Sequence, residues 1–218
     1  MTTISSLGIN DLAKKYALTD FVETGTLHGD SVAYALENGF SRAWSIEINK
    51  LLYERCASRF HDDKRITLLY GSSHKLLPSL CQVLSAASRK CLFWLDAHFP
   101  GADAGLNKYG DYTTEEENMP ILHEVCGIFS TLNENSVVII DDMRCFADLK
   151  SLQYHDFDGH MKSLGERAIG CNRETLVKVT LDDIISLIPS THSYRINEQE
   201  EGSLIIEPSS TTQKLFVI

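Results

Sequence analysis

Three carboxylates close two apolar runs of the chain: Asp96 ends KCLFWLD, and Asp141 and Asp142 end SVVIIDD. Acids gathered at short range raise one another's pKa unless a proton or a cation lies between them. Oxygen donors suit Mg2+, Mn2+ or Ca2+ rather than zinc, so Asp96, Asp141 and Asp142 are expected to share one divalent ion. Such an ion would stabilise an alkoxide as an acceptor hydroxyl loses its proton. His98 stands two residues past Asp96. An imidazole titrates near neutral pH, which makes His98 the candidate proton acceptor. The plainer reading makes His98 an ordinary loop histidine and Asp142 a cap on the following segment.

A second constellation suits a nucleoside. The run Glu23-Thr24-Gly25-Thr26-Leu27-His28-Gly29-Asp30-Ser31 forms a turn between a strand-like and a helix-like stretch. Gly25 and Gly29 allow a tight turn and a close approach of backbone to ligand. Ser31 lies near the helix start, where free N–H groups and a hydroxyl can hold a carboxylate. Glu23 is placed to attract a cationic group. Glu47, 24 residues on, ends the next strand-like run, RAWSIE, where a carboxylate can take both hydroxyls of a ribose. Ser72 and Ser73 follow the third run at Gly71, where an adenine edge would lie. A bound diphosphate is disfavoured: G-x-G-x-x-G would need glycine where Leu27 stands, and Glu23 would repel phosphate. The bland alternative is a tight turn with a helix cap and a solvated acid at a strand end.

These residues need a scaffold that brings successive strand ends together. Apolar runs alternate with helical patterns: DFVET, RAWSIEI, RITLLY, KCLFWLD and SVVII as strands, separated by GDSVAYALENG, NKLLYERCASRF, SHKLLPSLCQVLSA and MPILHEVCGIFSTL as helices. That alternation implies a parallel α/β sheet with helices on both faces. SYRINEQ and GSLIIEP, with few residues between, read as an antiparallel hairpin at about 193–208. Residues 99–119 hold three glycines and little apolar content, so they are expected to form an exposed loop or lid. Glu124, on the helix after that loop, reads as part of a solvated face.

At 218 residues the chain suits one domain, 1–218, with its core over about 20–145. A net charge of −10 argues against nucleic acid as partner. No apolar run approaches membrane-spanning length. The first twenty residues lack the basic head and apolar stretch of a signal peptide, so cytoplasmic residence is expected. Cys56, Cys81, Cys91, Cys126, Cys145 and Cys171 show no C-x-x-C spacing and are expected to be reduced, small hydrophobes rather than zinc ligands.

The pattern resembles the class I S-adenosylmethionine (SAM)-dependent O-methyltransferases, above all the metal-dependent catechol type. ETGTLHGDS looks like the family's first motif, SIEI like its ribose motif, YGSSHKLLPSL like its third, and FWLDAHF and VVIIDDM like its two metal-bearing segments. The closing hairpin separates that fold from a dinucleotide-binding one. The resemblance implies a Rossmann-like, mostly parallel seven-stranded sheet with an antiparallel C-terminal hairpin. It implies SAM as cofactor, held by Glu23, Gly25, Thr26, Gly29, Ser31, Glu47, Ser72, Ser73 and Asp96. It implies Mg2+ or Mn2+ on Asp96, Asp141 and Asp142, which with the reading of His98 above makes Asp96 and His98 the expected catalytic residues. The catechol enzymes carry a lysine soon after the fourth-strand aspartate, whereas this chain has Ala97, His98 and Phe99. FWLDAHFPGADAG is closer to methyltransferase-like proteins of bacterial polysaccharide clusters, which implies a sugar, glycan or other small-molecule hydroxyl as acceptor. The alternatives are a non-catalytic SAM or nucleoside binder on the same fold and, less favoured, an NAD-dependent oxidoreductase.

Overall fold

The computed structural model describes residues 4–102, 104–109, 111, 114–131, 136–146 and 156–209. Strands β1 (Asp20–Thr24), β2 (Arg42–Glu47), β3 (Ile66–Tyr70), β4 (Cys91–Leu95), β5 (Val137–Ile140), β6 (His192–Asn197) and β7 (Ser203–Pro208) form one sheet in the order β3-β2-β1-β4-β5-β7-β6. β1 to β5 pair in parallel, and β7 runs antiparallel between β5 and β6. This is the Rossmann-like architecture with a closing hairpin that the sequence implies.

The central strands are buried throughout because helices cover both faces of the sheet. Alternate residues of β1 and β4 face opposite ways. Val22 and Phe93 enter one core with Val138. Phe21 and Trp94 enter the other with Ile139. The second core takes α1 (Ile9–Tyr16) and α2 (Asp30–Glu37). On β2, α3 (Lys50–Arg59) is capped by the Asn49 side chain, which accepts from the N–H groups of Leu51 and Leu52. The first core takes α4 (Ser73–Ala86) and α6 (Ile121–Thr131), which pack on each other. The short α5 (Glu115–Asn118) precedes α6, and α7 (Met143–Phe146) follows β5.

Two parts of the chain differ from the sequence pattern. The described residues of the 99–119 stretch are not uniformly exposed: Phe99, Ala102 and Tyr109 are buried. Their rings explain it, since Phe99 packs 5.4 Å from Tyr109 and 6.1 Å from Phe157, centroid to centroid. Phe99 N–H also donates to the Asn118 carbonyl, which ties the two ends of the stretch together. Among the cysteines, all six are free and Cys126 is exposed rather than packed. Among the described residues no helix is long and apolar enough to cross a membrane.

Candidate active site

A cleft opens at the carboxyl ends of β1, β2, β3, β4 and β5, where an open α/β sheet places its ligands. Gly25, Glu47, Ser72, Ser73, Asp96, His98, Asp141 and Asp142 all line it. Parallel register brings these ends level: Thr24 pairs with Ile46 and Leu95, and Leu95 with Ile140. The first turn crosses the top of the sheet very close to β4. A β-carbon on Gly25 would lie 2.3 Å from the Asp96 carbonyl oxygen, and Gly25 has φ +82°. Only glycine fits there.

Glu47 forms the floor beyond β2. It is 4 % exposed, and its carboxylate accepts from Leu27 N–H at 3.0 Å and from Asn49 N–H at 2.7 Å. Burial raises its pKa, and those backbone donors oppose the rise. The carboxylate lines the cleft beside Gly71 and Ser72. Ser72, the N-cap of α4, shares a 2.6 Å hydrogen bond with His74 Nδ1.

Glu23, Thr26, Gly29 and Ser31 stand behind this surface. The Glu23 carboxyl is 1 % exposed and accepts from the Ser31 and Ser45 hydroxyls. Burial pushes its pKa up to about 8, against the pull of those two hydroxyls. Its hydrogen bonds join β1 to β2 and α2. Thr26 Oγ lies 2.6 Å from Ser45 Oγ. Gly29 starts α2 at φ +77°, with its α-hydrogen against the Phe60 ring. Asp96 borders a second recess beyond this turn, lined also by Ser31, Tyr34 and Trp94.

The acids beyond β4 and β5 arrange differently from the expectation. His98, whose side chain is 6 % exposed, lies between two of them: Nε2 is 2.8 Å from Asp142 Oδ2 and 3.6 Å from Asp96 Oδ1. Arg144 Nε approaches the other Asp142 oxygen at 3.4 Å. Burial alone would raise Asp142, but the hydrogen bond and charge of His98, with Arg144, hold its pKa down at about 2. Asp141 turns to β7, where Ser203 donates to its Oδ1 at 3.2 Å. Burial and the charges of Asp96 and Asp142 raise its pKa well above the ordinary value. The expected trio of Asp96, Asp141 and Asp142 does not close around a common point. Among the described residues, the group of ligand atoms within 4.8 Å of one another is His98, Asp142 and Cys145. As they stand, the three carboxylates line one cleft, with His98 beside Asp142 and Asp96. The two aspartates at the β5 end are adjacent but differently engaged, Asp141 with Ser203 and Asp142, at φ +54°, with His98.

Several site residues escape a sequence reading. Leu27 supplies a backbone donor to Glu47 from a left-handed conformation, φ +49°, and Phe99 shares that conformation at φ +48°. No hydrophobicity pattern signals either. Glu124 is 1 % exposed rather than solvated, facing the hydroxyls of Ser73 and Thr24, and burial pushes its pKa up to about 7. The helical spacing of Glu124 with Ile121, Val125 and Ile128, all buried, was the available signal.

No protein-family model and no curated protein sequence matches the chain. Solved structures do. A candidate caffeoyl-CoA O-methyltransferase from Staphylococcus aureus superposes with a TM-score of 0.60 at 14 % identity, over 96 % of this chain and 85 % of that one. The O-methyltransferase TomG from Streptomyces achromogenes, involved in tomaymycin synthesis and solved with SAM, gives 0.57 at 13 %, over 96 % and 82 %. An O-methyltransferase from Bacillus cereus, solved with SAH, gives 0.54 at 12 %, over 96 % and 82 %. At such identities the likeness speaks for architecture, and the chain has the Rossmann-like methyltransferase fold.

Proposed function

We propose that this chain is a SAM-dependent O-methyltransferase acting on a hydroxyl of a sugar, glycan or other small molecule. The observation that carries the reading is one cleft, at the strand ends of a methyltransferase fold, that holds both a buried diol-type acceptor and a histidine–carboxylate pair. Glu47 is the acceptor, positioned for a ribose by two backbone N–H groups. His98 and Asp142 form the pair. The solved SAM and SAH complexes of proteins with this fold support SAM as the cofactor.

In this reading Gly25, Thr26, Gly29 and Ser31 shape the turn around the amino-acid portion of the cofactor. Glu47 takes the ribose, Ser72 and Ser73 edge the base, and Asp96 lies between cofactor and acceptor. SAM, when bound, supplies an electrophilic methyl on sulfonium. The residues of the chain do the rest. His98 takes the acceptor hydroxyl's proton at a ring nitrogen, and Asp142 orients the ring and stabilises the imidazolium that forms. The stretch beginning at Phe99 excludes water and positions the hydroxyl in line with the methyl.

Calorimetry with SAH and with NAD tests the cofactor. SAH binding without NAD binding is the expected result, and NAD binding alone would sink the reading. His98→Ala should lower methyl transfer about 10²–10⁴-fold with SAH affinity kept. SAH binding with no transfer to any hydroxyl acceptor would favour a non-catalytic binder.

A further inference from the structure

The end of β5 carries a donor set of different chemistry from the one its two aspartates advertise. Asp142 turns the chain into α7, and Cys145 N–H donates to the Asp142 carbonyl at 2.8 Å. That i, i+3 relation puts both side chains on one side of the turn. His98 reaches the same point from the adjacent, parallel β4, because Leu95 and Ile140 are in register. One imidazole nitrogen, one carboxylate oxygen and one sulfur thus lie within 4.8 Å of one another.

We propose that His98, Asp142 and Cys145 form a binding site for a zinc ion. A nitrogen, oxygen and sulfur trio is a borderline-soft set, suited to zinc and poorly suited to magnesium. Bonds of about 2.0–2.3 Å place tetrahedral ligand atoms about 3.5 Å apart, so small side-chain rotations close the trio on an ion. The ion replaces the His98–Asp142 hydrogen bond, and Cys145 gives up its thiol proton to solvent on binding. Three protein ligands leave a fourth position for water. Arg144, on the other Asp142 oxygen, holds that carboxylate in the orientation that presents Oδ2 to the ion. In the zinc-bound form His98 is a ligand and does not take the proton as proposed above, so the two roles belong to the metal-bound and the metal-free protein.

Co2+ is the probe that separates the alternatives. The metal-free, tag-free full chain, kept reduced, is titrated with Co2+ and followed by absorption. The expected result is one equivalent bound with a thiolate-to-metal charge-transfer band, displaced by Zn2+ and unmoved by excess Mg2+. Cys145→Ser should abolish the band, while Cys126→Ser at the exposed cysteine should keep it. Should Cys145→Ser fail to fold by circular dichroism, His98→Asn provides the second arm and should weaken Co2+ binding at least about tenfold. A folded wild-type protein without the band would overturn the proposal. So would a band that survives in folded Cys145→Ser or an affinity unchanged in His98→Asn.

Discussion

Gly25 and Asp96 touch backbone to backbone: the α-carbon of the first sits where any β-carbon would collide with the carbonyl of the second. The turn after β1 and the end of β4 are thereby one unit. Gly25→Ala must move one of them and also hold alanine at φ +82°. The expected cost is about 3 kcal/mol or more, from strain and overpacking together. Urea unfolding measures it, and a loss below about 1 kcal/mol would mean the turn is free to shift.

Glu47 holds the turn through Leu27, and in the function proposed above it also takes the ribose. Glu47→Ala should weaken SAH binding by about 1.5–3 kcal/mol, the range for hydrogen bonds to a charged group. Glu47→Gln keeps one acceptor oxygen, so it should preserve the melting temperature better than alanine does while still binding SAH less tightly. Calorimetry and thermal unfolding on the same samples separate the two duties. Unchanged SAH affinity in both variants would remove Glu47 from the ribose role.

Buried acids give stability a definite slope with pH. Glu23 is raised from its ordinary 4.5 to about 8 and Glu124 to about 7. As pH rises past 4.5 the unfolded chain releases these protons while the folded chain retains them. Stability therefore falls with rising pH, by about 1.4 kcal/mol per unit for each such group. The Glu124 share levels off near pH 7 and the Glu23 share near pH 8. Glu23→Gln should flatten the decline between those two values. Denaturation curves for wild type and variant that stay parallel across that window would show that Glu23 ionises normally.

The parallel strands and the closing hairpin followed from alternation of apolar runs, whereas the strand order came only with the structure. Glu47, Asp96 and His98 were legible for the same reason: each ends or follows a strand, and strand ends converge. Direction within the cleft was not legible. Asp141 and Asp142 are neighbours in sequence, yet one faces Ser203 and the other His98. Asp142 also takes a left-handed backbone angle, a conformation that aspartate tolerates and composition does not reveal. Glu23 likewise reads as a charge in sequence and is a buried hydrogen-bonding strut in the fold. Cys145 reads as a small hydrophobe, and only the turn of α7 brings its sulfur to His98.

The stretch after β4 should owe its shape to aromatic packing. Tyr109 is 7 % exposed and lies against Phe99. Tyr109→Ala should destabilise the protein by about 3 kcal/mol, as for other large buried rings. Hydrogen exchange at residues 99–109 should rise more than the global loss requires, because those residues lose their anchor first. Exchange in that stretch unchanged from wild type would show that Phe99 and Phe157 hold it without Tyr109.

The insertion of β7 between β5 and β6 has a consequence for synthesis of the chain. β6 is made first but has no partner until β7 exists, and β5 keeps an open edge until Ser203–Pro208 has left the ribosome. The same late segment completes the acidic end of the cleft, since Ser203 bonds Asp141, and Gly202 and Glu201 carbonyls accept from Met143 and Arg144 N–H groups. A nascent chain released before that point exposes Val137–Ile140, four consecutive apolar residues, along an unpaired strand edge. Such an edge is a template for pairing with other chains. Premature termination should thus produce aggregates rather than inactive but folded protein, and a holdase would be needed only for the interval between β5 and β7.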